Sequence, residues 1–277
     1  MQNPADHPPE AAALVAWYAA MGVDVALDES PVDRLAVPSP KPPPSPTPVP
    51  TLDAGQRAPT TASPLRAHSR PPVAVAPSDE AAQAAKTSAR AATNLEELRE
   101  ALLRFEGCNL RLTATQLVFA DGTPGSRVMF VGEAPGREED MQGVPFVGRS
   151  GQLLDRMLAA IGLSRQSVYI ANVVPWRPPG NRTPTPQETA ICRPFVERQI
   201  ELANPDFLVL LGGASAKELL GSAEGILRLR GQWRDFDTGA RTIKAMATLH
   251  PAYLLRRPLE KRLAWRDFMA LKKALDA

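Results

Sequence analysis

Four short runs of almost uninterrupted apolar residues stand out in the second half of the chain. They are RVMFVG (127–132), VYIANVV (168–174), FLVLLGG (207–213) and TIKAMATLH (242–250). The first three have the nearly continuous apolar character of parallel strands that are buried on both faces. Segments with helical spacing separate the runs, over 151–162, 187–203 and 214–220. Strands that alternate with helices predict a three-layer α/β/α fold around a central four-stranded parallel sheet.

The part of the chain before this region has a different pattern. Residues 94–105, NLEELREALLRF, begin with a favourable capping residue and continue at helical spacing. Residues 9–22, PEAAALVAWYAAMG, predict a short amphipathic helix that docks either on the main domain or on a partner. We therefore expect three parts: a short helical segment at 1–27, a disordered Pro-rich linker at 28–93 and a folded domain at 94–277.

Composition supports the linker and excludes some classes of protein. Of the 29 prolines, 17 precede residue 80, and a segment such as PSPKPPPSPTPVP buries too little apolar surface to offset its ordering entropy. The chain has no apolar run of about 18 residues and no signal-peptide pattern at its start, so we expect no membrane span and a cytoplasmic location. Two cysteines, Cys108 and Cys192, are too few for a disulfide framework.

The charge of the chain does not by itself indicate whether it binds nucleic acid. The formal net charge is only +2, although the C-terminal third is locally basic. Such a basic segment is either a set of solvated helix faces or a surface that contacts nucleic acid, and charge alone leaves both readings open.

Candidate chemistry lies in the loops that follow the four predicted strands. In parallel α/β sheets, ligands bind beyond the carboxyl ends of the strands. The first strand leads into GEAPGREED, the second ends at Asn172, the third leads into GGASAK, and the fourth ends at His250. One edge of the sheet would therefore carry acids, an amide, glycine turns and the single histidine outside the N-terminal region.

Three of these residues have both a structural and a functional interpretation. His250 is either a structural histidine or a donor that stabilises a leaving anion. The Asn172 amide either bonds to backbone or reads the edge of a planar ring. Phe146, in GVPFVG, either fills the core or forms a stacking platform for a base.

Five strings, in this order over about 98–275, resemble the uracil-DNA glycosylases of the bacterial family-four type. They are GEAPGREED, GVPFVGRSGQLLD, ANVVPWRPPGNR, LLGGASAKELLG and LHPAYLLR. The resemblance implies a hydrolase that flips uracil out of DNA, cleaves its N-glycosidic bond and leaves an abasic site, which initiates base-excision repair. It covers none of residues 1–90.

The resemblance also implies roles for individual residues. Phe146 would stack on the uracil, Asn172 would read its polar edge, and His250 would hydrogen-bond the developing uracil anion. Glu133 or Asp140 would place water or stabilise the cationic sugar, and the sequence does not choose between them. The remaining implied contacts are Gly132 and Ala134 at the uracil, Gly136, Ser150 and Ser215 at the DNA phosphates, and Leu254, Leu255 and Arg256 probing the helix.

The sequence departs from the family in its cysteines. Relatives hold an iron–sulfur cluster with four cysteines, whereas only Cys108 and Cys192 are present here, and Phe105 and Trp176 fill the other two positions. Two thiolates cannot supply four ligands. We therefore expect no cofactor, no metal and two buried thiols.

A second departure concerns the reaction. Some relatives carry a basic, His-containing insertion after the asparagine strand and trap DNA covalently, but the corresponding segment here, RPPGNRTPTPQE, contains no histidine. We expect hydrolysis by a monomeric enzyme at the bacterial nucleoid, acting on single- or double-stranded DNA, with a repair or replication partner at the N-terminal helix. The alternatives are a non-catalytic or single-turnover binder of uracil or abasic DNA, and a nucleotide-binding domain of unrelated chemistry; the absence of Walker and Rossmann signatures counts against the latter.

Overall fold

The computed structural model describes residues 78–277, and its centre is a six-stranded mixed sheet. The strands are β1 (Asp121–Gly122), β2 (Val128–Gly132), β3 (Tyr169–Asn172), β4 (Phe207–Leu211), β5 (Trp233–Asp237) and β6 (Thr242–Thr248), in the order β1-β3-β2-β4-β6-β5. The four predicted strands, β2, β3, β4 and β6, pair in parallel in the middle of the sheet.

The predicted four-stranded sheet is corrected at its two edges. Strand β1 pairs antiparallel with β3, and β5 pairs antiparallel with β6. Strand β1 has only two residues, and β5 is the largely polar stretch WRDFD, so neither has the apolar run of a buried strand. An edge strand forms ladder bonds on one side only and does not need that pattern.

Ten α-helices connect and cover the strands in the described part of the chain. They are α1 (Ser78–Ala91), α2 (Leu95–Arg104), α3 (Leu110–Thr113), α4 (Arg137–Gln142), α5 (Arg149–Ala159), α6 (Pro186–Ala203), α7 (Gly213–Leu220), α8 (Ile226–Leu229), α9 (Pro251–Arg256) and α10 (Lys261–Leu275). The helix predicted over 94–105 is confirmed as α2, and its Asn94 cap accepts a hydrogen bond from the Glu97 amide. Helices α5, α6 and α7 match the other three predictions within two or three residues.

Helices lie on both faces of the sheet because alternate strand residues point to opposite sides. Met129 and Val131 belong to a core cluster that includes residues of α1, α2, α6 and α7. Phe130 belongs to the other cluster, with Leu154 of α5 and Phe268 of α10, and its ring stacks on Phe268 at a centroid distance of 6.0 Å.

A helix that packs on the core precedes residue 94, the predicted start of the folded domain. Helix α1 buries Ala81, Ala85 and Ala89 in the first core cluster. Arg198 of α6 also donates two hydrogen bonds to the carbonyl of Ala92. The helix predicted at 9–22 and the greater part of the predicted linker lie outside the described residues. Within 78–277, no helix has the length and apolar character needed to cross a bilayer.

The parallel strands all end at one edge of the sheet. Gly132 of β2 is in register with Asn172 of β3, and the Gly212 amide after β4 bonds to the Thr248 carbonyl of β6 at 2.8 Å. The loops that follow β2, β3, β4 and β6 therefore meet at the place where the sequence predicts a site.

Candidate active site

A cleft of about 470 Å³ opens at this edge of the sheet. Its lining comes from the loops after β2, β3, β4 and β6 and from the segment between α4 and α5. Eight of the predicted site residues line it: Glu133, Ala134, Gly136, Phe146, Ser150, Asn172, His250 and Arg256. A cleft of this size matches the volume of small-molecule sites in proteins.

Asn172 ends β3 with its side chain buried at the bottom of the cleft. Its Oδ1 atom is the one buried side-chain polar atom without a hydrogen-bond partner in residues 78–277. Such an atom costs about 1–3 kcal/mol of desolvation free energy. A methyl group on Gly132 would lie 2.5 Å from this oxygen, so only glycine at 132 leaves room for the amide. The orphan acceptor is available for a donor that enters the cleft.

Phe146 is a buried aromatic residue with an unusual backbone. Its φ is +55°, in the left-handed region, which costs a non-glycine residue about 1–2 kcal/mol. The ring lies against Gly132 and has its centroid 5.5 Å from the His250 ring. The sequence left open whether Phe146 fills the core or lies in the site. In the structure its ring is buried and also lines the cleft.

His250 caps α9 with its imidazole. The Nδ1 atom accepts a hydrogen bond of 3.1 Å from the Ala252 amide, which leaves the proton of a neutral ring on Nε2. Burial, reinforced by the positive charge of Arg256, lowers the pKa of His250 to about 4. The ring is therefore a neutral donor at physiological pH.

The two acids between which the sequence did not choose have different surroundings. Glu133 lines the cleft, and burial raises the pKa of its carboxyl group, opposed in part by a hydrogen bond with Thr183. Asp140 does not line the cleft: it is buried and accepts hydrogen bonds of 2.8 Å from both the amide and the hydroxyl of Thr115. Both carboxylate oxygens of Asp140 therefore bond to the segment after α3 and away from the cleft lining, and its catalytic role stays a prediction.

Glu139 is a cleft residue to which the sequence analysis gave no role. Its carboxylate accepts three backbone hydrogen bonds of 3.0 Å, from Gly136, Val147 and Gly148. It thereby ties the loop that carries Glu133 to the loop that carries Phe146. Glu139 is the third helical residue after the Gly136 cap and bonds back to the cap amide, which is half of a capping box, because glycine has no side chain to supply the other half. An acid at this position is the signal that could have identified it.

Three more cleft residues could not be predicted from the sequence, because their position depends on how one loop folds. Asn181, Arg182 and Thr183, between β3 and α6, line the cleft. Arg182 makes a two-point ion pair with Glu188 at the start of α6, at 2.6 and 2.8 Å. The segment RPPGNRTP is polar and Pro-rich, and nothing in its pattern shows which side chains turn inward.

Two of the predicted DNA contacts, Ser215 and Leu254, are buried in the structure, and their contact with DNA stays a prediction. Ser215 is fully buried, and its hydroxyl donates to the Gly212 carbonyl at 3.2 Å. Leu254 is also fully buried, packed with Leu249 and Ala264. In contrast, Leu255 is 37% exposed, and Arg256 is exposed at the cleft.

The two cysteines lie together in the core. Their Sγ atoms are 3.9 Å apart and both side chains are buried. Phe105 and Trp176 are buried in the same core cluster, and Phe105 packs edge-on against Phe195 at 5.1 Å. Residues 78–277 contain no group of three or more cysteine, histidine or acidic side chains arranged for a metal ion. The donor set does not fit the four thiolates that a cubane cluster takes.

Comparisons with known proteins show which family this chain is similar to. Residues 119–269 match the model of the "Uracil DNA glycosylase superfamily". The type-4 uracil-DNA glycosylase of Thermotoga maritima is 44% identical over 163 residues, which are 58% of this chain and 83% of that protein. The type-4 uracil-DNA glycosylase of Archaeoglobus fulgidus is 39% identical over 179 residues, which are 63% of this chain and 90% of that protein.

Proposed function

Because this chain belongs to the uracil-DNA glycosylase superfamily, we propose that it hydrolyses the N-glycosidic bond of uracil in DNA and leaves an abasic site. The observation that carries this proposal is the meeting of Asn172, Phe146 and His250 in one cleft, with the Glu133 carboxyl group also in its lining. This arrangement offers an amide, a platform and a neutral donor for the base, together with an acid for the sugar. The reaction is the first step of base-excision repair.

Recognition of uracil follows from the amide and the aromatic ring. Uracil presents an N3–H donor, which supplies the partner that Oδ1 of Asn172 lacks. Cytosine presents a lone pair at the same position, so binding it would leave this oxygen facing another acceptor. The Phe146 ring offers a stacking surface that offsets part of the cost of unstacking the flipped base.

Cleavage separates opposite charges, and the cleft has groups for both. The bond breaks towards an oxocarbenium-like sugar and an anionic base. The neutral imidazole of His250 donates from Nε2 to the base as negative charge develops on its carbonyl oxygen. The Glu133 carboxylate stabilises the cationic sugar and orients the attacking water. Because burial raises the pKa of Glu133, this carboxylate forms at a higher pH than that of an exposed glutamate.

DNA binding uses backbone groups and the arginine beside the cleft. Gly136 and Ser150, at the starts of α4 and α5, line the cleft, and the amides of these first helical turns would contact phosphates. Arg256 neutralises a phosphate, with exposed Leu255 beside it, so affinity falls as salt rises. We place the enzyme at the chromosome as a monomer; the proposed partner contact of the N-terminal helix involves residues outside the described range.

We propose further that the domain works without an iron–sulfur cluster. The donor set supports this, because Cys108 and Cys192 supply only two thiolates, and Phe105 and Trp176, which belong to the same buried core cluster, offer no ligand atoms. The test is to assay iron in the same anaerobically prepared sample whose uracil release is measured. Full activity at background iron supports the proposal, and activity that scales with bound iron contradicts it.

The proposed activity is tested by a time course of uracil release from a uracil-containing oligonucleotide, with substrate in excess over enzyme. Sustained turnover that collapses in His250→Ala and in Asn172→Ala supports the glycosylase. A single burst, or tight binding without release, would instead identify a protein that holds damaged DNA on a glycosylase scaffold.

A further inference from the structure

The backbone around Phe146 is held from both sides by charged groups. On one side, Glu139 accepts the amides of Val147 and Gly148, which follow the phenylalanine. On the other side, the Arg165 guanidinium donates to the carbonyls of Pro145 and Phe146. The peptide units on either side of the left-handed residue therefore each have a charged partner.

Arg165 is itself fixed in place. Its Nε atom donates to Asp155 of α5 at 2.7 Å, and its Nη1 atom donates to Asp121 of β1 at 2.5 Å. Its side chain is only 20% exposed. Two carboxylates on different elements hold the guanidinium, and its remaining donors point at the loop that carries the aromatic ring. A planar guanidinium can make these four contacts at once, whereas a lysine ammonium cannot.

The strained residue would not keep its conformation unaided. A φ of +55° at phenylalanine is unfavourable and persists only where the surroundings over-determine it. Helix α5 adds to this constraint, since a side chain on Gly151 would collide with the Phe146 carbonyl. Relaxation of φ would move the ring away from Gly132 and His250, which define its place in the cleft.

We propose that Arg165, held by Asp121 and Asp155, is a positioning residue that fixes the Phe146 ring as a preformed platform for the flipped uracil. This inference rests on the proposed glycosylase function and adds a residue that lies outside the cleft lining. Preorganisation of this kind matters because a displacement of about 1 Å in a binding group can lower a rate by about 100-fold.

The experiment is a double-mutant cycle on uracil release from single-stranded DNA, which removes the cost of opening a duplex. Four proteins are compared by kcat/KM under single-turnover conditions: wild type, Arg165→Lys, Phe146→Ala and the double variant. Arg198→Lys is the control, since that arginine is also 20% exposed and donates to a backbone carbonyl, but it lies on α6 and does not line the cleft. Thermal unfolding verifies that each protein is folded.

If Arg165 acts through Phe146, Arg165→Lys lowers kcat/KM by about 10- to 100-fold in the wild-type background. It then causes little further loss when Phe146 is already alanine, and Arg198→Lys leaves the rate unchanged. Equal losses in both backgrounds, or a folded Arg165→Lys with full activity, would overturn the inference.

Two further outcomes are informative. Where Arg165→Lys does not fold, Asp121→Asn replaces it, and the same non-additivity with Phe146→Ala is expected at a smaller loss. Where wild type releases no uracil, the proposed function fails first and the positioning role fails with it. That result is distinct from an active wild type with an additive cycle, which overturns the positioning role alone.

Discussion

Replacement of Asn172 by alanine is expected to remove activity without lowering stability. Oδ1 of this residue is buried and has no partner in the described part of the chain, so the folded protein carries its desolvation cost. The substitution deletes that atom, and the space it leaves adjoins an open cleft that water can enter.

The magnitude follows from the unpaired oxygen. An unsatisfied buried acceptor costs about 1–3 kcal/mol, and its removal offsets the packing lost with the side chain. We expect the free energy of unfolding to stay constant or to rise by up to about 2 kcal/mol. Loss of a preorganised polar contact to the reacting base lowers the rate by about 100- to 1000-fold.

The matched control is Gln199→Ala. Gln199 and Asn172 have the same exposed fraction, 4%, but the Gln199 amide is satisfied by the Phe119 carbonyl at 3.2 Å and the Tyr169 hydroxyl at 3.1 Å. Its removal leaves buried groups unpaired and should lower the free energy of unfolding by about 1–3 kcal/mol, with activity retained in the folded fraction.

Both quantities are measurable on the same preparations. Urea denaturation gives the free energy of unfolding, and single-turnover uracil release gives the rate. If Asn172→Ala were destabilised as much as Gln199→Ala, the unpaired oxygen would have a partner in solution. If it released uracil at the wild-type rate, the assignment of Asn172 to base recognition would be wrong.

Three other predictions concern charge. Since burial raises the pKa of Glu133, kcat/KM should fall as pH drops through that raised value, and Glu133→Gln should lack this acidic limb in a pH–rate profile. His250 has a folded-state pKa of about 4 against about 6.5 unfolded, so the unfolded chain binds more protons between these values. The stabilisation that the neutral His250 ring gives is present above pH 6.5 and is lost as pH falls towards 4. Urea titrations at several pH values should therefore show that the free energy of unfolding depends less on pH in His250→Asn than in wild type. Arg256→Ala should weaken DNA binding and reduce the slope of log K against log salt by about 1 in fluorescence anisotropy, and an unchanged slope would remove Arg256 from the phosphate contacts.

The sequence by itself determined the central strands and the edge of the sheet at which the cleft lies. Buried parallel strands appear as continuous apolar runs, and this local property placed β2, β3, β4 and β6. The rule that ligands bind beyond the carboxyl ends of such strands then brought Asn172 and His250 to one site. Both steps use only the order of residues along the chain and the geometry common to all such sheets.

Only the tertiary structure decided which neighbouring side chains face the cleft. Leu254 is buried and Leu255 is exposed, although they are adjacent on one short helix. Glu133 faces the cleft, whereas Asp140, seven residues later in the same loop and helix, bonds to Thr115. Each outcome depends on a partner from a distant segment, and the sequence pattern around the residue does not contain that partner.

Arg165 shows most clearly that local sequence pattern does not reveal contacts with distant segments. Its partners Asp121 and Phe146 are 44 and 19 residues away in the chain, and no spacing rule connects them. Local pattern specifies which elements form, because propensity and periodicity act over a few residues. The contacts that hold the backbone at Phe146 arise only when those elements pack, because they join side chains and carbonyls that the fold alone brings within hydrogen-bond distance.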